Sequence, residues 1–277
     1  MPPGRLALIL ALAIAPATRA DDPPKPAPDV TSPPAFGDFV VIPLRVHVLT
    51  SAELPEIDCA LKDDDIRRVI GKVNAIWRNA GVHFALDPIA REPAAREDRF
   101  REVRARREGD GLGPFQLLAP EGSRSGEGFD VYYIHRFAVN GVFLGDRMAF
   151  VQETASLRPV PGGSDEPLPR VTAHELGHGL GLPHRQDRTN LLASGTTGTG
   201  LSEQEATRAR DHARKIPGAL AAPDLRKKAE EATARGDTAE ARRLWSHLAD
   251  LPGDGAAEAR KKLGEIEGEN KAATPSR

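Results

Sequence analysis

Residues 174–184 read HELGHGLGLPH and gather three of the chain's eight histidines in one short stretch. His174 and His178 stand four residues apart, so on a helix they leave the same face one turn from each other. Neutral imidazoles at that spacing can share one zinc ion. Glu175 follows the first of them and is placed to take a proton from water at the metal. Gly181 permits a sharp exit from the helix, and Pro183 stops the helix from continuing. His184 can then return as a third ligand. Three nitrogen ligands leave a tetrahedral position open for water, whose pKa zinc lowers towards neutrality. A closed structural site needs a fourth protein ligand, and the single cysteine, Cys59, is far away in sequence. The pattern therefore predicts one catalytic Zn2+ held by His174, His178 and His184, with Glu175 as general base. The remaining histidines His47, His83, His135, His212 and His247 lack ligand spacing and read as surface or core residues.

The elements that must position these residues follow from hydrophobic periodicity. Residues 39–49 are β-branched and apolar and predict a strand, with Pro43 at an edge or bulge. Three aspartates at 63–65 precede Ile66, Val69, Ile70, Val73 and Trp77, which is an acidic first turn followed by helical spacing. Gly81 ends that helix and residues 82–86 resume as strand, an order that favours a parallel pair. A second helix is expected over 94–107 and a Gly-rich loop over 109–128. Strands follow at 129–135 and 148–153, the latter after a turn at Gly145-Asp146, and then a loop over 160–169. The motif helix is expected to begin near Arg170. Ser202 and Glu205 form a capping-box pattern that opens a helix to about Lys215.

Pro217, Gly218 and Pro223 mark a boundary, beyond which Ala, Arg, Glu and Lys dominate. The expected organisation is a metal-binding domain at 38–215, a linker at 216–223, a helical segment at 224–267 and a polar, disordered tail at 268–277. The helical segment pairs two helices across Gly236-Asp237 in a pattern similar to one tetratricopeptide hairpin. A plain helical extension packing on the catalytic domain fits the same residues.

At the N-terminus, Arg5 precedes an unbroken apolar run at 6–15, Pro16 and the small-residue stretch Thr18-Arg19-Ala20. Residues 1–20 read as a secretory signal peptide, the run being short for an uncleaved membrane anchor. Six prolines between 21 and 35 predict an extended linker, taken to residue 37. The expected location is therefore periplasmic or extracellular, with no stable membrane association after processing. One cysteine permits no internal disulfide. Cys59 reads as a buried small apolar residue, an intermolecular link or a thiolate that masks a metal. Lys+Arg 38 against Asp+Glu 40 leaves no basic surface of the kind nucleic acid requires.

The HELGHGLGLPH segment resembles the zinc signature of the metzincin clan of metallopeptidases. The resemblance covers roughly residues 38–215, with the motif as its specific part. It implies an α+β fold: a twisted, mostly parallel sheet with an antiparallel edge strand, two upper helices, the active-site helix and a small lower subdomain. The C-terminal helices extend it. It also implies a substrate lying extended along the edge strand, which by the resemblance would be residues 148–153. Such proteins carry a Met-turn beneath the zinc. Residues 189–195 match that turn in spacing, but Leu192 stands where the methionine belongs. Arg185 departs from the residue types of the matrixin, astacin and adamalysin branches, so no subfamily is assigned. The implied activity is a secreted zinc metalloendopeptidase acting on protein or peptide substrates. The competing reading is a catalytically silent zinc-containing binding module whose C-terminal helices recognise a protein partner.

Overall fold

A computed structural model describes residues 29–106 and 113–273. The expected signal peptide and residues 21–28 of the Pro-rich segment lie outside the described residues. β1 (Val40–Thr50) is an almost continuous row of apolar and β-branched residues, as a strand buried on both faces requires. The acidic first turn opens α1 (Asp63–Trp77), which buries Ile66, Val69, Ile70, Val73 and Trp77 along one stripe. A 3-10 turn and Gly81, at φ 72°, return the chain into β2 (Val82–Pro93), parallel to β1. β2 continues well past residue 86, where the apolar run ends, because residues 89–93 keep pairing with 46–50. Pro43 sits in a central strand, not an edge. The register shift falls just after it on the β2 side, and on the other side the β3 ladder begins at Leu44. Its missing N–H therefore interrupts neither ladder.

α2 (Glu97–Arg106) precedes β3 (Phe129–Ile134), β4 (Gly141–Phe143) and β5 (Met148–Gln152). The strand order is β2-β1-β3-β5-β4, with only β4 antiparallel to its neighbour along this path. The edge strand beside the motif is therefore β4 and not residues 148–153, which lie between β3 and β4. Burial explains the difference: β5 is buried at every position, whereas β4 is three half-buried residues too short to register as a strand pattern. The hairpin joining them turns through Gly145, Asp146 and Arg147, all at positive φ.

α3 (Pro167–Gly179) carries the motif and α4 (Glu203–Ala213) follows it. β6 (Leu220–Ala221) pairs antiparallel with the start of β1. α5 (Ala222–Ala234), α6 (Thr238–Ala249) and α7 (Asp254–Ala273) complete the chain, α7 extending past residue 268, where the polar tail is expected to begin. The result is a mixed α+β fold with a mostly parallel sheet, an antiparallel edge strand and seven α-helices among the described residues.

Strand alternation divides the sheet into two faces. Ile42, Leu44, Val46, Val48, Val131 and Tyr133 face α1 and α3 in the main core. On the opposite face Phe39, Val41 and Ala85 share a cluster with Leu225, Leu244, Trp245 and Leu248 of α5 and α6. Further along that face Tyr132, Ile134 and Phe150 pack with Phe100 and Phe115. Between these clusters the buried His47 ring is stacked on Tyr132 at 4.2 Å and bonded to Glu92 at 2.6 Å and Asp130 at 3.1 Å. This polar pin lies on the face turned away from the motif helix.

Candidate metal centre

α3 starts with Pro167, whose fixed φ suits a first helical turn. It begins three residues before Arg170 because the prolines at 167 and 169 fit that turn, where no N–H is needed. Its exit is built by Gly181 at φ 77°. Gly181 N–H donates to His178 O at 2.9 Å and Leu182 N–H to Gly177 O at 3.0 Å, a Schellman closure that a residue with a Cβ would strain. The chain then reverses, and His184 arrives opposite the two helical histidines.

His174, His178 and His184 come together as the sequence predicts, and they are the one group of three or more such side chains among the described residues that could hold a metal. His178 Nε2 lies 3.1 Å from His174 Nε2 and 3.1 Å from His184 Nε2. Zinc–nitrogen bonds in a tetrahedral site set imidazole nitrogens about 3.3 Å apart, so the spacing fits. The far sides of two rings are committed: His174 Nδ1 meets Leu191 O at 2.8 Å and His178 Nδ1 meets Leu182 O at 2.9 Å. A carbonyl accepts only, so each Nδ1 carries the proton and each Nε2 turns a lone pair towards the common point. Converging lone pairs repel one another unless a cation lies between them, and this donor set suits zinc. Burial lowers the pKa of His174 to about 3 against the Leu191 bond, and lowers that of His178, so both rings are neutral as ligation requires.

Glu175 is buried on the same helix and faces the edge strand. A Cβ on Gly141 would lie 2.7 Å from Glu175 Oε1, so glycine there leaves room for the carboxylate. Burial raises the Glu175 pKa to about 8, opposed by the Phe143 N–H bond and the charge of Arg170. A cation held by the three imidazoles favours the carboxylate further. Triad and Glu175 open into a cleft of about 470 Å³ walled by Val139, Val142, Phe143 and Leu157, with Ser194 and Gly195 opposite.

The floor is the turn after His184. Leu192 is fully buried, and a Cβ on Gly177 would sit 3.2 Å from its Cδ1 and 3.3 Å from Trp77 Cζ2. Leu192 therefore packs directly under the motif helix. Asn190 Oδ1 accepts from Leu192 N–H at 2.7 Å, and its amide donates to Glu205 Oε2 at 2.9 Å. Glu205 closes the expected capping box with Ser202 and also receives Arg185 Nε at 2.5 Å. Burial alone would raise the Glu205 pKa, but bonds from Ser202, Arg185 and Asn190 hold it below the usual range. Arg185 thus tethers the third-histidine loop to α4. Sequence reasoning missed Arg170, Asn190, Glu205 and Gly141 as parts of the site. Only Arg170 leaves a readable trace, standing one helical turn before His174.

Cys59 lies outside this centre. It is buried, its thiol donates to Glu153 Oε2 at 3.3 Å, and burial pushes its pKa up, so it stands as a buried thiol outside the histidine triad. His47, His83, His135, His212 and His247 likewise lie outside the triad.

No protein-family model matches the chain, and no curated protein matches it in sequence. Among solved structures, archaemetzincin from Methanopyrus kandleri is similar at a TM-score of 0.37 and 17% identity, over 65% of this chain and 98% of that one. A structure described as a chaperone–substrate complex is similar at 0.36 and 12% identity, over 64% of this chain and only 35% of that one. The site's own geometry carries the functional reading.

Proposed function

We propose that this chain is a zinc-dependent endopeptidase of metzincin type, with His174, His178 and His184 as metal ligands and Glu175 as general base. The observation that supports it most is the convergence of three imidazole Nε2 atoms beside a buried carboxylate in an open cleft. When bound, zinc supplies Lewis-acid polarisation of a carbonyl and makes water a usable nucleophile near neutral pH. Glu175 takes the proton from the attacking water and passes it to the leaving amine. The Phe143 N–H holds that carboxylate in place between the two transfers.

The same reading assigns the substrate's position to β4. Gln152 N–H donates to Asn140 O and Leu144 N–H to Met148 O, so residues 140 and 144 face β5. By antiparallel alternation Gly141 turns its N–H and C=O outward and Phe143 its C=O, the Phe143 N–H being taken by Glu175. An extended peptide adding to this edge runs past the triad. Residues 1–20 would direct the chain to the periplasm or the exterior; among the described residues no helix is long and apolar enough to cross a membrane.

The test is cleavage of a peptide library by purified protein, before and after chelation and after zinc is restored. Chelator-sensitive cleavage that zinc restores is expected. Metal-loaded protein that cleaves nothing would favour the binding-module reading.

A further inference from the structure

Arg170 is a charged residue where charge is costly. It is 1% exposed, and no carboxylate among the described residues lies within ion-pair distance of it. A buried, unpaired cation is strongly unfavourable unless its donors are satisfied. Here Nε and Nη2 are satisfied by main-chain carbonyls of one short segment. Nε donates to Gly198 O at 3.0 Å, and Nη2 donates to Leu191 O at 2.7 Å and Ala193 O at 2.5 Å. Asn190 O stands 3.4 Å from Nη2. These acceptors surround Leu192 and form the floor of the metal centre.

One acceptor is shared. Leu191 O receives both Arg170 Nη2 and His174 Nδ1. Nη1 also lies 3.4 Å from His174 Nδ1, one helical turn along the same face. The guanidinium thus fixes the carbonyl that sets the tautomer and ring orientation of a metal ligand. Its planar fork of five donors can bridge several carbonyls at once, which a lysine ammonium cannot reproduce.

We propose that Arg170 is a positioning residue of the metal centre, bracing the turn at 190–198 against the motif helix and orienting His174 through Leu191 O. It supplies a second brace where Leu192 alone fills the volume beneath the zinc. This rests on the zinc reading above.

The test compares Arg170→Lys and Arg170→Met with the wild-type chain, His178→Ala and a distant core variant, Ile134→Ala. Zinc affinity is measured against a competing chelator, and the cobalt-substituted protein is measured by visible absorption. Both Arg170 variants are expected to stay folded by circular dichroism, to lose about 10–100-fold in zinc affinity and to change the cobalt spectrum. Ile134→Ala, which opens a cavity in a separate core cluster, should lose stability but keep the wild-type spectrum. Wild-type affinity and spectrum in folded Arg170 variants would overturn the proposal. Failure of both to fold would overturn it too, because a guanidinium required for folding itself is structural and does not merely position a ligand. Retention of metal by His178→Ala would instead overturn the zinc reading and leave the cause identifiable.

Discussion

Leu192→Ala is expected to destabilise the protein and loosen the metal centre together. Leu192 is fully buried, wedged against the Gly177 face of the motif helix beside Trp77. That gap is tight on both sides, so the surroundings cannot collapse into the space left behind. Leu→Ala in such sites costs about 3 kcal/mol from lost transfer energy plus the cavity. For a chain of this size that is a fall in Tm of roughly 6–12 °C. Leu192→Met conserves volume and should cost less than about 1.5 kcal/mol. The geometry also predicts coupling. Gly177→Ala gains up to ~1 kcal/mol in helix propensity, yet its Cβ meets Leu192 and should destabilise the wild type. In the Leu192→Ala background the same Cβ meets only Trp77 and should restore part of the lost stability. Thermal unfolding of the four proteins, with and without chelator, completes the double-mutant cycle. A Leu192→Ala protein with wild-type Tm and zinc affinity would refute the placement of Leu192 under the metal centre, and additive effects of the two changes would refute the contact.

Gly141→Ala should lower turnover while leaving zinc content intact, because the added Cβ displaces the Glu175 carboxylate and no ligand; measured loss of metal would contradict this. His83 is buried with its pKa lowered by burial to about 3, next to His247, which is also lowered. Both are neutral when folded and gain protons when unfolded, so stability is full above the unfolded value of about 6.5 and is lost as pH falls below it. For His83 the slope approaches about 1.4 kcal/mol per pH unit between the two pKa values, and Tm against pH for His83→Leu should show a shallower acid limb. An unchanged acid limb would contradict the lowered pKa of folded His83.

Much of the metal centre is legible in the sequence because its constraints are local. Two ligands and Glu175 lie on one helix, and Gly181 and Pro183 fix the exit that brings back His184. The long strands and α1 are equally legible, since their burial patterns repeat over many residues. What escapes is set by distant contacts. β4 is three residues whose identity as the edge depends on pairing with β5, and Gly141 matters only because Glu175 lies opposite. Arg170 reads as a polar residue at a helix start, yet its partners lie at residues 190–198. Residues after 216 differ in composition from those before, but Leu244 and Trp245 share one apolar cluster with Phe39 and Val41 of the sheet, a contact composition cannot register.

The central claim is that three imidazoles hold one zinc. It is tested most directly by anomalous diffraction from crystals of the zinc-loaded protein, recorded above and below the zinc edge. The account predicts a single strong anomalous peak about 2.0–2.1 Å from Nε2 of His174, His178 and His184, with Glu175 beside it but not bonded to it. A fully loaded crystal with its peak elsewhere, or with one of the three rings turned away from it, would contradict the account.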